Sequence, residues 1–270
     1  MTSNGLPALL SAWDWSPSIW IGCFALLLLY LLGIRFHWVA RSYFFLCGVI
    51  ILLIALVSPL DALSDTYLFS AHMVQHLLLL LVVPPLLLLG IPEPLARQAL
   101  KNHIIGSSER ILRKPLLAWL LGIGTIWVWH LPLLYNATLA NENIHTLEHL
   151  SFLVTGTIFW WPVISPLPDH RLSAKGRAPY LLAAEAANDI LGMLLTYANP
   201  AIYPAYLHPV DTLGILQLIR VGWKLTPAAD QQLGGLIMWF PGGLFYFLPL
   251  FFKPAKKDRR GSPPRLSSSD

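Results

Sequence analysis

The sequence has few charged residues. Only 12% of its 270 residues are Asp, Glu, Lys or Arg, whereas an ordinary soluble domain has about 25%. Apolar residues make up 56% of the chain, so most of its length is too apolar to form a surface exposed to water. The composition therefore excludes an ordinary soluble domain and predicts a polytopic protein embedded in a lipid bilayer.

Cysteine is equally scarce. Cys23 and Cys47 each stand alone inside an apolar segment, and the sequence contains no CxxC pair. This excludes a thiolate metal cluster, and we interpret both residues as small buried hydrophobes. A metal site in this chain would have to be built from histidine, helped by methionine or carboxylate.

Basic residues are absent where a signal peptide needs them. The first 20 residues contain no Lys or Arg and no short apolar core with a cleavage site, so the first apolar run is expected to stay in the protein. The net charge of +4 does not indicate nucleic-acid binding. The basic residues lie in loops between apolar segments, where they set membrane topology.

Apolar segments of roughly spanning length recur along the chain. We predict an all-α membrane bundle of seven transmembrane helices at about residues 18–34, 42–57, 68–89, 115–134, 144–164, 180–197 and 230–252. Residues 1–17 are expected to form an extracytoplasmic lead, and residues 18–252 the membrane domain. Residues 253–270 are expected to form a disordered, basic cytoplasmic tail.

The distribution of Lys and Arg predicts the orientation of this bundle. If the seven segments alternate, sixteen of the eighteen basic residues fall on one side, and only Arg220 and Lys224 fall on the other. The positive-inside rule then predicts an outer amino terminus and a cytoplasmic carboxyl terminus. We interpret residues 58–67 as an acidic connection and residues 90–114 and 200–229 as loops.

Histidines stand out against the apolar background. His72 and His76 are four residues apart in the third segment and therefore share one helix face. In the predicted orientation, three further histidines fall at the same outer level: His130, His145 and His149. Imidazole binds copper, zinc, iron and nickel, and copper binds most tightly in the usual order, so the five histidines predict a metal site suited to copper.

Residues beside the histidines could support this site. Met73 could add a thioether ligand for cuprous ion, and Glu148 and Gln75 could orient the imidazoles as hydrogen-bond acceptors. The stretch HTLEH also matches the H-x-x-E-H pattern of one metalloprotease class. The additional histidines exceed the needs of that scheme, so we expect a protein that is not an enzyme.

Two polar islands lie further along the chain. Glu185 and Asp189 share a helix face in the sixth segment, which indicates either proton or cation handling or a buried polar contact with a neighbouring helix. Asp230 opens the seventh segment, where an acidic residue is also a favourable helix start. Within the third segment, Pro84 and Pro85 are expected to kink the helix.

Five stretches between the third and seventh segments carry a family resemblance. They read HMVQHLLLLLVVPPLLLLG, WVWHLP, HTLEH running to FWWPVI, AAND, and DQQLGGLIMWFPGG. Together they resemble the CtaG-like family of cytochrome c oxidase assembly factors, described for caa-type oxidases. The positions that fall on the family's motifs are His72, His76, His130, His149, Asp189 and Asp230, whereas His145 joins them on spacing alone.

The resemblance implies a seven-helix protein of the bacterial plasma membrane that is needed to make active terminal oxidase through its copper centres. The hypothesis is a copper chaperone that receives the ion from an extracytoplasmic donor and passes it to an oxidase subunit. Two alternatives stay open. One is an electron carrier that binds haem b between facing histidines, and the other is a proton-coupled copper permease in which Asp189 carries the proton.

Overall fold

A computed structural model describes residues 5–251 of the protein. The predicted tail at residues 253–270 lies outside this range, as do the first four residues of the predicted lead. Within the range the chain is all-helical and contains no β-strand, as predicted.

Thirteen α-helices occur between residues 5 and 251. The first six are α1 Gly5–Leu10, α2 Pro17–Gly33, α3 Ser42–Val57, α4 Pro59–Ala62, α5 Phe69–Leu77 and α6 Val83–Gly90. The others are α7 Glu93–Ala99, α8 His103–Leu112, α9 Pro115–Trp129, α10 Pro132–Ala140, α11 Glu142–Ile164, α12 Ala174–Tyr197 and α13 Pro227–Phe251. Three π-helical turns accompany them, at Leu63–Tyr67, Leu78–Val82 and Leu218–Gly222.

Fewer helices than the seven predicted have the length and composition to cross a membrane. In the part of the chain that the structure describes, three qualify: Phe69–Gly90, Glu142–Ile164 and Pro227–Phe251. Two bent pairs raise the number to five if each is one span: Ser42–Val57 with Pro59–Tyr67, and His103–Leu112 with Pro115–Trp129. Helix α2 is apolar but shorter, and Glu185, Asn188 and Asp189 reduce the hydropathy of α12.

The segments interpreted as connections contain helices. The predicted loop at residues 90–114 holds α7 and α8, and apolar residues recur along α8 at the spacing of one helix face. Asn102 starts α8, because its side-chain oxygen accepts hydrogen bonds from two backbone N–H groups in the first turn. The acidic connection at residues 58–67 is likewise helical, as α4 and a π-helical turn.

The predicted fourth segment is two helices with a break between them. Helix α9 ends at Trp129, and Pro132 begins α10, where its missing N–H costs nothing. His130 therefore lies at the break and not inside a helix. Helix α10 continues to Ala140, six residues beyond the predicted end of the fourth segment at residue 134.

Pro84 and Pro85 do not interrupt the third segment. It forms one continuous helical stretch, with a π-helical turn directly before the prolines in place of the simple kink that was expected. Pro84 lacks the N–H that would bond the carbonyl of Leu80, four residues earlier. The indole Nε1 of Trp160 on α11 donates to that carbonyl instead, at 3.0 Å.

Replacing Trp160 with Phe should destabilise the bundle by about 1 to 3 kcal/mol, because the carbonyl of Leu80 loses the indole N–H donor in a buried place. The free energy of unfolding can be measured by denaturant titration in detergent. Trp119→Phe is the matched control, since Trp119 Nε1 is buried and has no hydrogen-bond partner within residues 5–251. Equal losses in the two variants would contradict the role of the Trp160 hydrogen bond.

The bundle is organised around the helical stretch formed by α5 and α6. Helix α5 packs against α13, α6 packs against α3 and α11, α11 packs against α9, and α12 packs along α13. The last pair approaches closely at Gly192, where an added Cβ would lie 2.7 Å from the backbone nitrogen of Trp239. The continuous stretch Phe69–Gly90 thereby packs against α3, α11 and α13 in the interior of the bundle.

One end of the bundle is closed by segments that were predicted as lead and loop. Side chains from α1, from residues 67–71 at and before the start of α5, and from residues 200–229 form a separate apolar cluster of Leu9, Tyr67, Leu68, Ala71, Ile215 and Ile219. The burial of these side chains holds α1 and residues 200–229 against the beginning of α5. The same end of the bundle carries the predicted histidines.

Candidate metal centre

Helix α5 presents His72 and His76 to the interior, where both are fully buried. The amino terminus of this helix is bound by Asp230 of α13. Its carboxylate accepts hydrogen bonds from the backbone N–H of Phe69 at 2.8 Å, from the backbone N–H of Ser70 at 3.1 Å and from the Ser70 hydroxyl. A carboxylate there complements the free N–H groups and the helix dipole. Asp230 thus positions the helix that carries the histidines.

Helix α11 supplies three further polar side chains in its first two turns. His145 and Glu148 are buried, and His149 is half-buried. Asn141 caps the helix by accepting hydrogen bonds from two backbone N–H groups, which fixes the direction in which this first turn leaves the break after α10.

His130 reaches the same region from the break between α9 and α10. Its Nδ1 lies 2.6 Å from the carbonyl oxygen of Ile126, and its own carbonyl accepts a hydrogen bond from the Tyr203 hydroxyl at 2.8 Å. Its Nε2 faces the sulfur of Met73 at 3.2 Å. The ring is therefore held from both sides.

The structure brings the five predicted histidines together. Ring centroids are 4.3 Å apart for His72 and His76, 4.1 Å for His145 and His149, 5.3 Å for His72 and His145, and 5.3 Å for His76 and His130. We call these five residues and Glu148 the histidine cluster. Its tightest part has ligand atoms that all lie within 4.8 Å of one another, from His72, His145, Glu148 and His149.

Glu148 lies in the middle of the imidazoles and not behind them as predicted. Its carboxylate oxygens are 3.5 Å from Nε2 of His72, 3.3 Å from Nε2 of His76 and 4.0 Å from Nε2 of His145. The side chain is fully buried, and neither oxygen accepts a hydrogen bond from any residue in the range 5–251. An isolated buried carboxylate is costly, so the cluster needs positive charge beside it.

Tyr206 and Ser64 determine the tautomer of His72. The Tyr206 hydroxyl donates its hydrogen to the Ser64 carbonyl at 2.8 Å, and Nδ1 of His72 lies 3.2 Å from the hydroxyl oxygen and 3.4 Å from that carbonyl. Both oxygens act as acceptors towards the ring, so Nδ1 carries the hydrogen. Nε2 of the neutral ring keeps its lone pair and faces Glu148, which is also an acceptor.

Further imidazole nitrogens lie in the same space. The Nε2 atoms of His76, His145 and His149 are buried and have no hydrogen-bond partner among the described residues. Native proteins leave few buried polar atoms unpaired, and here the unpaired atoms are of ligand type and face one another. Several imidazole nitrogens with one carboxylate oxygen form a donor set that suits copper, zinc, iron or nickel.

An acidic rim links the cluster to the surface. The side chain of His145 is 11% exposed, and its Nδ1 lies 3.6 Å from the carboxylate of Asp65, which is 39% exposed. Contrary to prediction, Gln75 makes no hydrogen bond to a cluster imidazole in the described part of the chain. It donates to Asp61 at 2.7 Å and accepts from Ser64 at 2.8 Å, and so fastens residues 58–67 to α5.

Three tyrosines that enclose the cluster were missed by the sequence reasoning. Tyr135 belongs to α10, its ring centroid lies 5.0 Å from that of His72, and its hydroxyl lies 3.1 Å from that of Tyr206. Tyr203 and Tyr206 belong to residues 200–229. The repeated tyrosine in PAIYPAY was a signal, but a stretch interpreted as a loop gives no information about its neighbours in space.

Glu185 and Asp189 are not part of the cluster. They face α13, where a Cβ added at Gly243 would lie 3.2 Å from Asp189 Oδ1. No hydrogen bond or ion pair joins either carboxylate to a cluster histidine within residues 5–251. Asn188 between them donates to the backbone carbonyl of Met238 at 2.7 Å, which favours a helix–helix contact for this polar island.

A family model described as the cytochrome c oxidase caa3 assembly factor, Caa3_CtaG, matches residues 25–253. The chain belongs to this family. The matched region contains the whole histidine cluster, Met73, Asp230 and the three enclosing tyrosines. The family predicted from the motifs is therefore confirmed.

Curated relatives of the chain include longer proteins. An uncharacterized protein of Mycobacterium leprae is 27% identical over 205 residues, which are 69% of this chain and 30% of that protein. An uncharacterized protein of Mycobacterium bovis is 26% identical over 211 residues, which are 71% of this chain and 31% of that protein. The chain thus spans less than a third of the length of these relatives. No solved structure matches it significantly.

Proposed function

We propose that this chain is a membrane assembly factor for cytochrome c oxidase that holds a copper ion in the histidine cluster and hands it on during maturation of an oxidase copper centre. The family description supports the target. The observation that supports a bound metal is the buried carboxylate of Glu148, which accepts no hydrogen bond in the described part of the chain and lies among imidazole nitrogens. A cation supplies the charge that this arrangement needs.

The proposal includes the predicted topology. Seven segments with an outer amino terminus would put the cluster at the extracytoplasmic end of a bacterial plasma-membrane protein. There the rim formed by Asp65 and His145 would be accessible to an extracytoplasmic copper donor. The segments that enclose this end, α1 and residues 200–229, would be accessible to an oxidase subunit in the same bilayer. The charge distribution along the sequence supports this orientation.

A bare ion is favoured over haem b. Neighbouring cluster imidazoles lie 4.1 to 5.3 Å apart by ring centroid, and His149 lies 6.2 Å from His72 and 6.4 Å from His76. The Phe152 ring packs against His76 at 4.5 Å and the Glu148 carboxylate lies between the imidazoles, so the plane of a porphyrin has no room between facing rings. A proton-coupled permease is favoured less, because no hydrogen bond or ion pair joins Asp189 to the cluster within residues 5–251. The surplus of imidazoles favours transfer by ligand exchange over metalloprotease chemistry.

Metal analysis tests this proposal. We expect purified protein loaded with copper to retain about one ion or more per chain, and the double variant His72→Ala, His149→Ala to retain at least tenfold less. The variant removes two of the four ligand atoms in the tightest part of the cluster. The matched control is His103→Ala, His208→Ala, which replaces two histidines outside the cluster and should keep the wild-type copper content.

Equal copper content in the cluster variant and the wild type would overturn the proposal. Oxidase activity in cells separates binding from assembly. Cells that carry the cluster variant should lose active oxidase, whereas cells that carry the control variant should keep it.

A further inference from the structure

His130 and Met73 form a pair at one side of the histidine cluster. Nε2 of His130 lies 3.2 Å from the Met73 sulfur, and both side chains are buried. Neither belongs to the tightest ligand set of His72, His145, Glu148 and His149. The pair therefore calls for an explanation of its own.

The hydrogen-bond geometry leaves this pair without a hydrogen. Nδ1 of His130 lies 2.6 Å from the carbonyl oxygen of Ile126, an acceptor only, so Nδ1 carries the hydrogen of the neutral ring. Nε2 then has a lone pair, and the thioether of Met73 has no hydrogen to offer it. Two buried lone pairs face each other at contact distance, which is the arrangement that a bound cation would relieve.

The ligand type selects the cation. Thioether sulfur is a soft ligand that favours cuprous ion, whereas the tightest part of the cluster combines imidazole nitrogen with a hard carboxylate oxygen. His76 lies between the two, with its ring centroid 5.3 Å from that of His130 and 4.3 Å from that of His72. A ligand that is close to both sides can exchange an ion between them.

We propose that His130 and Met73, with His76 as the shared ligand, form a second subsite that is selective for cuprous ion. The inference rests on the proposed function and deepens it. The ion passes between the cluster and this subsite by exchange of ligands, and it stays cuprous, so no electron is transferred. Zinc occupies the cluster but not the thioether subsite.

Anaerobic titration of the purified full-length protein with cuprous ion, in competition with a chromogenic chelator, tests this inference. We expect two equivalents to bind to the wild type and one to Met73→Leu, because leucine fills a similar volume but offers no ligand. Met238→Leu is the matched control, since Met238 is equally buried and lies on α13. It should keep two equivalents. Zinc binding should be the same in all three proteins.

Copper X-ray absorption gives an independent result. The spectrum of the wild type should contain one sulfur neighbour, which is lost in Met73→Leu and kept in Met238→Leu. Two equivalents in Met73→Leu, or no sulfur neighbour in the wild type, would overturn the second subsite and leave the proposed function intact. A wild-type protein that binds no copper at all would overturn both.

Discussion

Glu148→Gln should weaken copper binding by about 100-fold, which corresponds to about 2.7 kcal/mol. Glutamine has the shape of glutamate, so the helix and its packing should remain. The substitution removes the one negative charge that lies within 4 Å of three cluster imidazoles. It also gives the cluster an amide N–H that can bond an imidazole lone pair directly, so less is gained when a cation enters.

The same substitution should not destabilise the metal-free protein. The free energy of unfolding without metal is expected to stay equal or to rise, because a buried carboxylate without donors is replaced by a neutral amide. Added copper should stabilise the wild type against unfolding and have little effect on the variant. These opposite results distinguish a metal site from a structural ion pair. If Glu148→Gln unfolded more easily and bound copper normally, the central role of Glu148 would be refuted.

Glu109→Gln is the control for Glu148→Gln. Glu109 is also shielded and contacts a histidine, since its Oε1 lies 2.6 Å from Nδ1 of His170 and 2.9 Å from Nε1 of Trp161. It belongs to α8, a helix that contributes no residue to the histidine cluster. Its substitution should leave the affinity for copper unchanged, even if the stability of the protein changes.

Asp230→Ala should destabilise the protein by about 3 to 5 kcal/mol, because it leaves two backbone N–H groups and one hydroxyl without their acceptor in a buried place. It should also weaken copper binding, since α5 carries His72, Met73 and His76. Denaturant titration and competition for copper measure the two effects. Asp230→Asn keeps one acceptor oxygen, so we expect a smaller loss of both.

Asp169→Ala is the matched control for Asp230→Ala. Asp169 is exposed and pairs with Arg97 at 2.9 Å, and this hydrogen bond lowers the pKa of the carboxyl. An exposed ion pair contributes less than about 1 kcal/mol, so the substitution should change neither stability nor copper binding appreciably. A similar loss of stability in the Asp169→Ala and Asp230→Ala variants would argue against a special role for Asp230 at the amino terminus of α5.

Local features of the chain were readable from the sequence because they depend on neighbours along it. The starts of α2, α3 and α11 lie within two residues of their predicted positions, where the apolar runs begin. The side-by-side arrangement of His72 and His76 follows from helical periodicity alone. The family was readable for a similar reason, since its motifs are short and contiguous.

The helices α7, α8 and α10 were missed because they are short and polar enough to look like connections. Their stability comes from packing against the longer helices and from caps such as Asn102, and not from a long apolar run. The bond from Trp160 to Leu80 was also unpredictable. It joins residues eighty positions apart, and only the bundle brings them together.

The sequence by itself determined that this protein is all-helical, apolar and a member of an oxidase assembly family, and that any metal site in it would have to be built mainly from histidine. Composition, helical periodicity and motif are properties of the chain, and they survive any arrangement of the helices. Tertiary structure alone decided that five histidines from three parts of the chain converge, and that Glu148 stands among them. It also decided that Met73 faces His130 and that Asp230 binds the start of α5, because these contacts depend on which helices are neighbours.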